Sequence, residues 1–205
     1  ASSPSAVDYL QYLDERALRG ARLGIARNFF GFDGRVDALM EESIEALRHL
    51  GAEIVDPIDL PTSRAYDGSE YEVLLYEFKA DLSAYLANMR PGLWPRTLAE
   101  LIDFNVANAA RVMPYFGQEI FLQAQQKGPL TDQAYRYALA KNHRLSREEG
   151  IDAAIAKYQL DAIVAPTGGP AWSIDLVNGD HYGGGCSSPA AVSGYPHITV
   201  PAGFV

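Results

Sequence analysis

The spacing of apolar residues predicts a strand, a helix and a second strand near the start of the chain. Residues 22–26 form a short apolar run, and apolar positions then recur at helical spacing over residues 36–50. Gly51 stands where a helix C-terminal cap belongs. A second strand is predicted at residues 53–55, ended by Pro57. Strand, helix and strand in this order form a βαβ unit, which implies parallel pairing.

A short amphipathic helix is predicted over residues 7–18, and the middle of the chain is predicted to be almost entirely helical. Its helices are expected at residues 71–89, 98–109, 118–126 and 131–157. Pro91 and Pro95 end the first of these, and Thr97 caps the second, with Glu100 placed for a capping box. The last is long enough for one continuous helix or for two with a break at Gly150.

Apolar residues return to the strand pattern near the end of the chain. Strands are predicted at residues 160–165 and 198–200, and both are expected to be buried on both faces, as in the middle of a helix-covered sheet. Pro189 favours the start of a helix at residues 189–194. The helical block therefore lies between strands of one sheet, and we predict one α/β unit instead of two domains.

A loop rich in Gly, Ser and Pro separates these two strands. It carries Asp180, His181, Cys186, Ser187 and Ser188. Loops held at both ends by buried strands are where α/β enzymes place ligand contacts, so this loop is the candidate site. Because Asn-Gly is a turn dipeptide, residues 178–181 are equally consistent with a turn and with a ligand contact.

Three kinds of chemistry are conceivable in this loop. Cys186, His181 and Asp180 could form a nucleophile, a base and an orienting group, but such sets normally assemble from distant positions, and a packed loop residue is the simpler interpretation of Cys186. Asp180, His181 and His197 are metal-ligand types without a His-x-x-x-His or Cys-x-x-Cys spacing. A histidine just before a strand, as His197 is, more often makes structural hydrogen bonds.

Ser187 and Ser188 are the third option. A serine nucleophile needs a base and backbone oxyanion donors, which the glycines at 183–185 could supply. Pro189, however, removes the N–H directly after Ser188. Hydroxyls that orient or bind a substrate fit these positions better than a nucleophile does.

Composition narrows the classes of partner. A hydrophobic content of 48% allows a substantial core, and a net charge of −9 disfavours a nucleic-acid or anionic-membrane surface. No apolar run approaches the ~20 residues that a membrane span needs. Cys186 is the single cysteine, which excludes an internal disulfide.

Four motifs are spread along nearly the whole chain: LRGARLGI at 18–25, YFGQE at 115–119, LDAIVAPT at 160–167 and SGYPHITVPAG at 193–203. Together they resemble the amidase signature family, most closely its bacterial peptide amidase branch. The resemblance implies part of a three-layer α/β/α fold with a mixed central sheet and a large helical insertion. It also implies that residues 1–205 are the C-terminal portion of a single amidase domain, whose N-terminal catalytic part and last strand and helix lie outside them.

The activity implied by the resemblance is hydrolysis of a carboxamide by a Ser–Ser–Lys triad, without metal or organic cofactor. The family's lysine and its Gly-Ser-Ser-Gly-Gly segment precede the region matched here, and the sequence at 186–189 departs from that segment because Pro189 stands where the family has glycine. No catalytic residue is therefore assigned in this chain, which alone is expected to be inactive. The residues expected to line the substrate pocket are Pro166, Thr167, Gly168, Gly169, Asp180, His181, Ser187 and Ser188.

The partners expected on this basis are an amide-containing small molecule or peptide and the N-terminal part of the same protein. Separated from that part, the chain is expected to self-associate through exposed strand edges. Neither nucleic acid nor a membrane is an expected partner. The alternatives are a stand-alone module that binds a small molecule or peptide without catalysis, and a non-enzymatic structural homologue.

Overall fold

A three-stranded parallel sheet organises the chain. The computed structural model describes residues 8–90, 92 and 94–205. The strands β1 (Arg22–Ala26), β2 (Glu53–Ile58) and β3 (Ala162–Val164) are arranged in the order β2-β1-β3. Leu23 of β1 is paired with β2 on one side and with β3 on the other, and both pairings are parallel. The predicted βαβ unit and its parallel pairing are confirmed.

Helix α1 (Gly34–His49) connects β1 to β2, and both of its ends follow local chemistry. The side chain of Asp33 accepts hydrogen bonds from the backbone N–H groups of Arg35 (2.9 Å) and Val36 (3.4 Å), which satisfies two free donors of the first turn. Gly51 has a φ of +98°, the left-handed conformation in which a side chain would be strained. The predicted helix and its glycine cap are confirmed.

Strand β2 does not end at Pro57, so the predicted end of this strand is wrong. It continues to Ile58, which is 1% exposed, and the pairing with β1 shifts register between Gly24 and Ala26. Proline cannot donate to a sheet, but it is tolerated at an irregularity on an outer strand. β2 occupies such an outer position among the described strands.

A helical block follows β2 and returns the chain to the sheet. It consists of α2 (Asp67–Ala87), α3 (Leu98–Ala107), α4 (Ala109–Val112), α5 (Glu119–Gln125), α6 (Gln133–His143), a π-helical segment (Arg144–Ile151) and α7 (Asp152–Tyr158). Thr97 caps α3 as predicted, accepting from the N–H of Glu100 at 3.2 Å, while the Glu100 carboxylate accepts from the N–H of Arg96 at 2.6 Å. Pro91, predicted to end the first helix, lies outside the described residues.

The α6, π-helical and α7 segments form one uninterrupted helix, so Gly150 does not break it. Gly150 has a different role, because a Cβ added there would lie 2.6 Å from the carbonyl oxygen of Leu145 and 3.1 Å from Oγ1 of Thr62. The glycine thus leaves room for the π-helical backbone at Leu145 and for close packing against Thr62 in the connection between β2 and α2. Of the two predicted alternatives, one continuous helix or two helices with a break at Gly150, the structure has the continuous helix.

Two regions of the fold have separate cores. The helical block buries Val73, Tyr76, Tyr135 and Ala138 in one cluster and Leu75, Leu98, Ile102 and Ala124 in another. The sheet packs Ala26, Ile58 and Leu160 together with side chains of α7. No helix in the described part of the chain is both long and apolar enough to cross a membrane.

Three expectations about terminal and late segments are corrected by the structure. The helix over 7–18 is reduced to a single 3-10 turn at Tyr9–Tyr12, since its apolar side chains find no described surface to pack against and an unpacked short helix is unstable. Residues 198–200 are not a strand, and Ile198 is 86% exposed. β3 is half-buried at best and is not covered on both faces. The helix predicted to start at Pro189 is confirmed as α8 (Ser188–Ser193).

A charge network fastens the carboxyl end of β1 to α1 and β2. Arg27 donates from Nε to Oδ1 of Asp56 at 2.7 Å and from Nη2 to Oε2 of Glu41 at 3.2 Å. The hydrogen bond from Arg27 holds the pKa of Asp56 below its ordinary value. Because the folded-state pKa is depressed, this pair stabilises the protein above the unfolded carboxyl pKa of about 3.9 and loses that effect as the pH falls further.

We predict that Asp56→Asn lowers the free energy of unfolding by about 1.5–3 kcal/mol at pH 7, the range for a hydrogen bond to a charged group. The difference from the wild type should be complete above about pH 4 and should shrink as the pH falls through the depressed folded-state pKa of Asp56, where the wild-type carboxylate becomes protonated. Urea unfolding of the complete protein at several pH values measures both effects. Glu45→Gln, at a surface pair with Arg48, is the control and should change stability by less than about 1 kcal/mol. A pH-independent difference for Asp56→Asn would contradict the prediction.

Candidate functional site

The chain leaves the carboxyl end of β3 in a loop whose two ends are joined. Gly168 and Gly185 form an isolated antiparallel bridge, and the N–H of Cys186 donates to the carbonyl oxygen of Thr167 at 3.3 Å. We call these four residues the neck. Because the neck holds both ends together, it fixes where the loop begins and ends at the edge of the sheet.

The C-terminal segment comes back to the neck and adds two polar side chains. Oγ1 of Thr199 lies 3.3 Å from Oγ1 of Thr167, and Nε2 of His197 lies 3.8 Å from Sγ of Cys186. We refer to Thr167, Cys186, His197 and Thr199 as the neck cluster. Burial raises the pKa of the Cys186 thiol, so this thiol is protonated at neutral pH and is a poor nucleophile.

A cavity of about 1010 Å³ adjoins the neck cluster. It lies between α1, β3, the end of the helical block and the C-terminal segment, and its wall is mainly apolar, including Leu39, Leu47 and Ile155. Four residues that the sequence predicts for a substrate pocket share this wall: Pro166, Thr167, Gly168 and Gly169. A large apolar cavity with a few polar groups at one end is the usual form of a small-molecule site.

The other four residues predicted for the pocket lie away from this cavity wall. Asp180 is exposed and accepts a hydrogen bond from Nε1 of Trp172 at 2.6 Å, while His181 and Ser187 are exposed in the same loop. Ser188 opens α8 and donates to Oε2 of Glu70 at 2.9 Å, so its hydroxyl faces the helical block. Their role in binding a substrate stays a prediction.

The structure does not assemble the hypothetical nucleophile set in the loop. Cys186 contacts His197, Asp180 contacts Trp172, and no hydrogen bond joins Cys186, His181 and Asp180 in the described part of the chain. Within residues 8–90, 92 and 94–205, no three His, Cys, Asp or Glu side chains come together in a group that could hold a metal ion. The contact between Cys186 and His197 is not predicted from the sequence, because helix α8 separates them along the chain. The only sequence feature that hints at the contact is that the two residues flank this helix.

Helix α8 is held by the helical block at both ends. Ser188 is bound to Glu70 at its start, and at its end Nε of Arg147 donates to the carbonyl oxygen of Ser193 at 2.6 Å. The Arg147 guanidinium also lies over the ring of Tyr195, 5.6 Å from its centroid. Since α8 joins the neck to the C-terminal segment, these contacts set the position of the neck cluster.

Tyr66 lies beside the start of α8. It is 1% exposed, and burial raises its pKa to about 12, an effect that the nearby Ser188 hydroxyl opposes. A phenol with this pKa is neutral at physiological pH. The surroundings of Ser188 therefore hold one carboxylate, that of Glu70, and one neutral hydroxyl.

We predict that Glu70 and Ser188 stabilise the fold as a pair. Glu70→Ala and Ser188→Ala should each destabilise the complete protein, and their double-mutant cycle should give a coupling of about 1–2 kcal/mol, as expected for a half-buried hydrogen bond to a carboxylate. Chemical unfolding of the four proteins measures this value. Ser187→Ala, at the exposed neighbour, is the control and should change stability little. Additive effects of the two substitutions would show that the hydrogen bond does not hold α8.

Solved structures similar to this chain include peptide amidases. The peptide amidase PAM in complex with the competitive inhibitor chymostatin superimposes with a TM-score of 0.91 and 42% sequence identity, covering 100% of this chain and 42% of that one. The native peptide amidase from Stenotrophomonas maltophilia gives a TM-score of 0.82 and 40% identity, covering 94% of this chain and 39% of that one.

Comparison with curated sequences gives the same family. A probable amidase of Arabidopsis thaliana is 32% identical over 201 residues, which are 96% of this chain and 34% of the relative. A glutamyl-tRNA(Gln) amidotransferase polypeptide of Acinetobacter baumannii is 27% identical over 206 residues, 96% of this chain and 41% of the relative. The chain thus spans between a third and about two fifths of the length of these relatives. The sequence profile of the Amidase family matches residues 1–205, so the chain belongs to the amidase signature family and has the α/β fold of its peptide amidases.

Proposed function

We propose that these residues form the C-terminal portion of an amidase that hydrolyses a carboxamide, either a peptide C-terminal amide or a non-peptide amide. The observation that carries the proposal is the fit of the whole chain to a peptide amidase bound to a competitive inhibitor. The position of the cavity supports it, because the cavity runs along β3 and past the carboxyl end of this strand, where open α/β sheets bind ligands.

The chemistry we propose is that of a Ser–Ser–Lys triad supplied by the part of the protein outside these residues. One serine attacks the amide carbon, backbone N–H groups stabilise the oxyanion, and the second serine passes a proton between the lysine and the leaving nitrogen. Ammonia leaves, and water then hydrolyses the acyl-enzyme ester. The neck cluster fits a binding role in this scheme, since Cys186 holds its proton while Thr167 and Thr199 offer neutral hydroxyls.

In this proposal, residues 166–169 and the neck cluster form one wall of the substrate pocket. Thr167 and Thr199 offer hydrogen bonds that orient the amide, and the apolar wall accepts the remainder of the substrate. The loop with Asp180 and His181 contacts the substrate at the mouth. No metal or organic cofactor takes part in the proposed reaction.

The surface of the chain supports the proposal that a further part of the protein covers it. Its accessible surface is 13954 Å² for a mass of 22.4 kDa, whereas a compact monomer of that mass exposes about 9,400 Å². Ile198, Val200 and Phe204 of the C-terminal segment are among the most exposed apolar side chains, beside the cavity. We propose that the N-terminal part of the amidase domain packs here, and that the chain self-associates when separated from it.

We predict that the complete protein releases ammonia from peptide C-terminal amides and that the isolated 205-residue chain does not, because it lacks the proposed triad. A coupled ammonia assay with a panel of amino-acid and peptide amides tests both. Size-exclusion chromatography with light scattering and hydrophobic-dye binding checks that the isolated chain is folded and shows whether it self-associates.

Turnover by the isolated chain that survives repurification and disappears in Cys186→Ala or Ser188→Ala would overturn the proposed triad and favour a local nucleophile. A stable monomer that binds amides without hydrolysing them, together with an inactive complete protein, would instead support the stand-alone binding module.

A separate prediction concerns the role of Asp180 in substrate binding. In the complete protein, Asp180→Ala should raise KM or lower kcat/KM by about 10- to 150-fold, the equivalent of one lost charged hydrogen bond, without changing thermal stability. Because Asp180 also binds Trp172, Trp172→Phe is the matched control. A comparable loss of kcat/KM in Trp172→Phe would mean that Asp180 acts by ordering the loop. Unchanged kinetics in Asp180→Ala would mean that residues 178–181 form a turn without a role in substrate binding.

A further inference from the structure

Tyr195 follows helix α8 in a turn whose backbone is closely tied. Gly194 has a φ of +72°, the left-handed conformation that ends many helices. The N–H of Tyr195 donates to the carbonyl oxygen of Ala190 at 3.1 Å and to Oγ of Ser193 at 3.2 Å. The Ser193 side chain is buried and itself donates to the carbonyl oxygen of Ala190 at 3.1 Å. This turn therefore fixes the point from which the C-terminal segment departs.

The side chain of Tyr195 is held by two charged groups of one helix. Its hydroxyl donates to the carboxylate of Asp152 and lies 2.9 Å from Oδ1 and 3.0 Å from Oδ2. The bond to this carboxylate raises the pKa of Tyr195, so the phenol is neutral at pH 7 and keeps the proton that it donates. The guanidinium of Arg147, five residues before Asp152 in the same continuous helix, lies over the ring.

Asp152 and the neck belong to one packed body. Asp152 is the first residue of α7, which leads directly into β3 and from there to Thr167. Ile155 and Tyr158 of α7 and Ile163 of β3 all pack against the same core cluster under the sheet. The contact at Asp152 and the contact at Thr167 are therefore two fixed points on a common frame.

The stretch between these two points is short and has few other contacts. Tyr195 and Thr199 are four residues apart, so a fully extended chain between them spans only about 13–14 Å. Residues 196–200 are all exposed. Among the described residues, their only hydrogen-bond contacts are those of His197 with Cys186 and of Thr199 with Thr167. The attachment at Tyr195 thus limits where His197 and Thr199 can lie.

The cavity beside the neck cluster shows which of these residues can meet a substrate. Tyr195, His197 and Thr199 are part of its wall, whereas Asp152 is not. We propose that the hydrogen bond between Tyr195 and Asp152 is a positioning contact, which holds the C-terminal segment so that Thr199 faces Thr167 in the substrate pocket. The inference rests on the proposed function in one respect, the binding of the amide by the neck cluster. Asp152 acts through Tyr195, and Tyr195 acts through Thr199.

Alkylation of Cys186 tests this contact without any need for enzymatic activity. Because Cys186 contacts His197, its reaction with iodoacetamide reports whether the stretch is in place. In the complete protein at pH 8, Tyr195→Phe and Asp152→Ala should each accelerate the alkylation about 5-fold, as for the loss of one ordinary hydrogen bond. Mass spectrometry of the peptide that contains Cys186 measures the rate. Wild-type rates in both variants would overturn the proposal.

Steady-state kinetics with a peptide amide test the effect on the pocket. Tyr195→Phe and Asp152→Ala should each raise KM about 5-fold and leave kcat within about 2-fold, because the neck cluster binds the ground state and the transition state alike. Asp152→Asn keeps an oxygen that accepts from the phenol, so its KM should return to within about 2-fold of the wild type. The double variant should resemble each single variant, since both substitutions remove the same contact.

Tyr71→Phe is the matched control. It removes the hydrogen bond from a tyrosine hydroxyl to Gln123 in the helical block and should leave KM and the alkylation rate of Cys186 unchanged. Additive effects of the Tyr195 and Asp152 substitutions, or faster alkylation with a wild-type KM, would contradict the proposed positioning role. An inactive complete protein would instead contradict the proposed hydrolysis, and the alkylation rates would still decide whether this contact positions the neck cluster.

Discussion

Parallel pairing on both sides of β1 is the constraint on which the rest of the structure depends. A parallel neighbour cannot be reached by a tight turn, so α1 must connect β1 to β2 and the whole helical block must lie between β2 and β3. A clamp of two hydrogen bonds, one to a side chain and one between backbone groups, holds the returning chain in place. The N–H of Arg22 donates to Oδ2 of Asp161 at 2.8 Å, and the N–H of Asp161 donates to the carbonyl oxygen of Arg22 at 2.9 Å. This clamp fixes the start of β3, and the position of the neck at its other end follows.

Elements that depend on neighbouring residues could be predicted from the sequence, whereas elements that need a distant partner could not. The cap at Thr97, the glycine after α1 and the start of α8 at Pro189 all rest on interactions within a few residues. A strand at residues 198–200 would need a neighbouring strand to pair with, and an apolar pattern in the sequence does not identify that neighbour. The same limit explains residues 7–18, whose apolar pattern is real but unmatched by any described surface.

The candidate site shows the same division. The family resemblance implies a pocket role for residues 166–169, and the cavity beside them agrees with their position directly after a strand, which is defined along the chain. The contact of Ser188 with Glu70 spans 118 residues of sequence, and the contact of Cys186 with His197 passes around a helix. Neither contact produces a pattern among neighbouring residues of the sequence. The sequence thus indicates which edge of the sheet is the candidate site, while the tertiary fold decides which polar groups meet there.

The joined ends of the neck have a consequence for how such a protein diversifies. The neck isolates residues 169–184 as an excursion that starts and finishes at one point of the scaffold. Lengthening such a loop costs little, since each doubling adds only about 0.6 kcal/mol of closure entropy. Insertions, deletions and changes of charge in the excursion can therefore accumulate over evolution while Thr167 and Cys186 keep their places. For the proposed amidase, such changes would alter the mouth of the substrate pocket without a new scaffold.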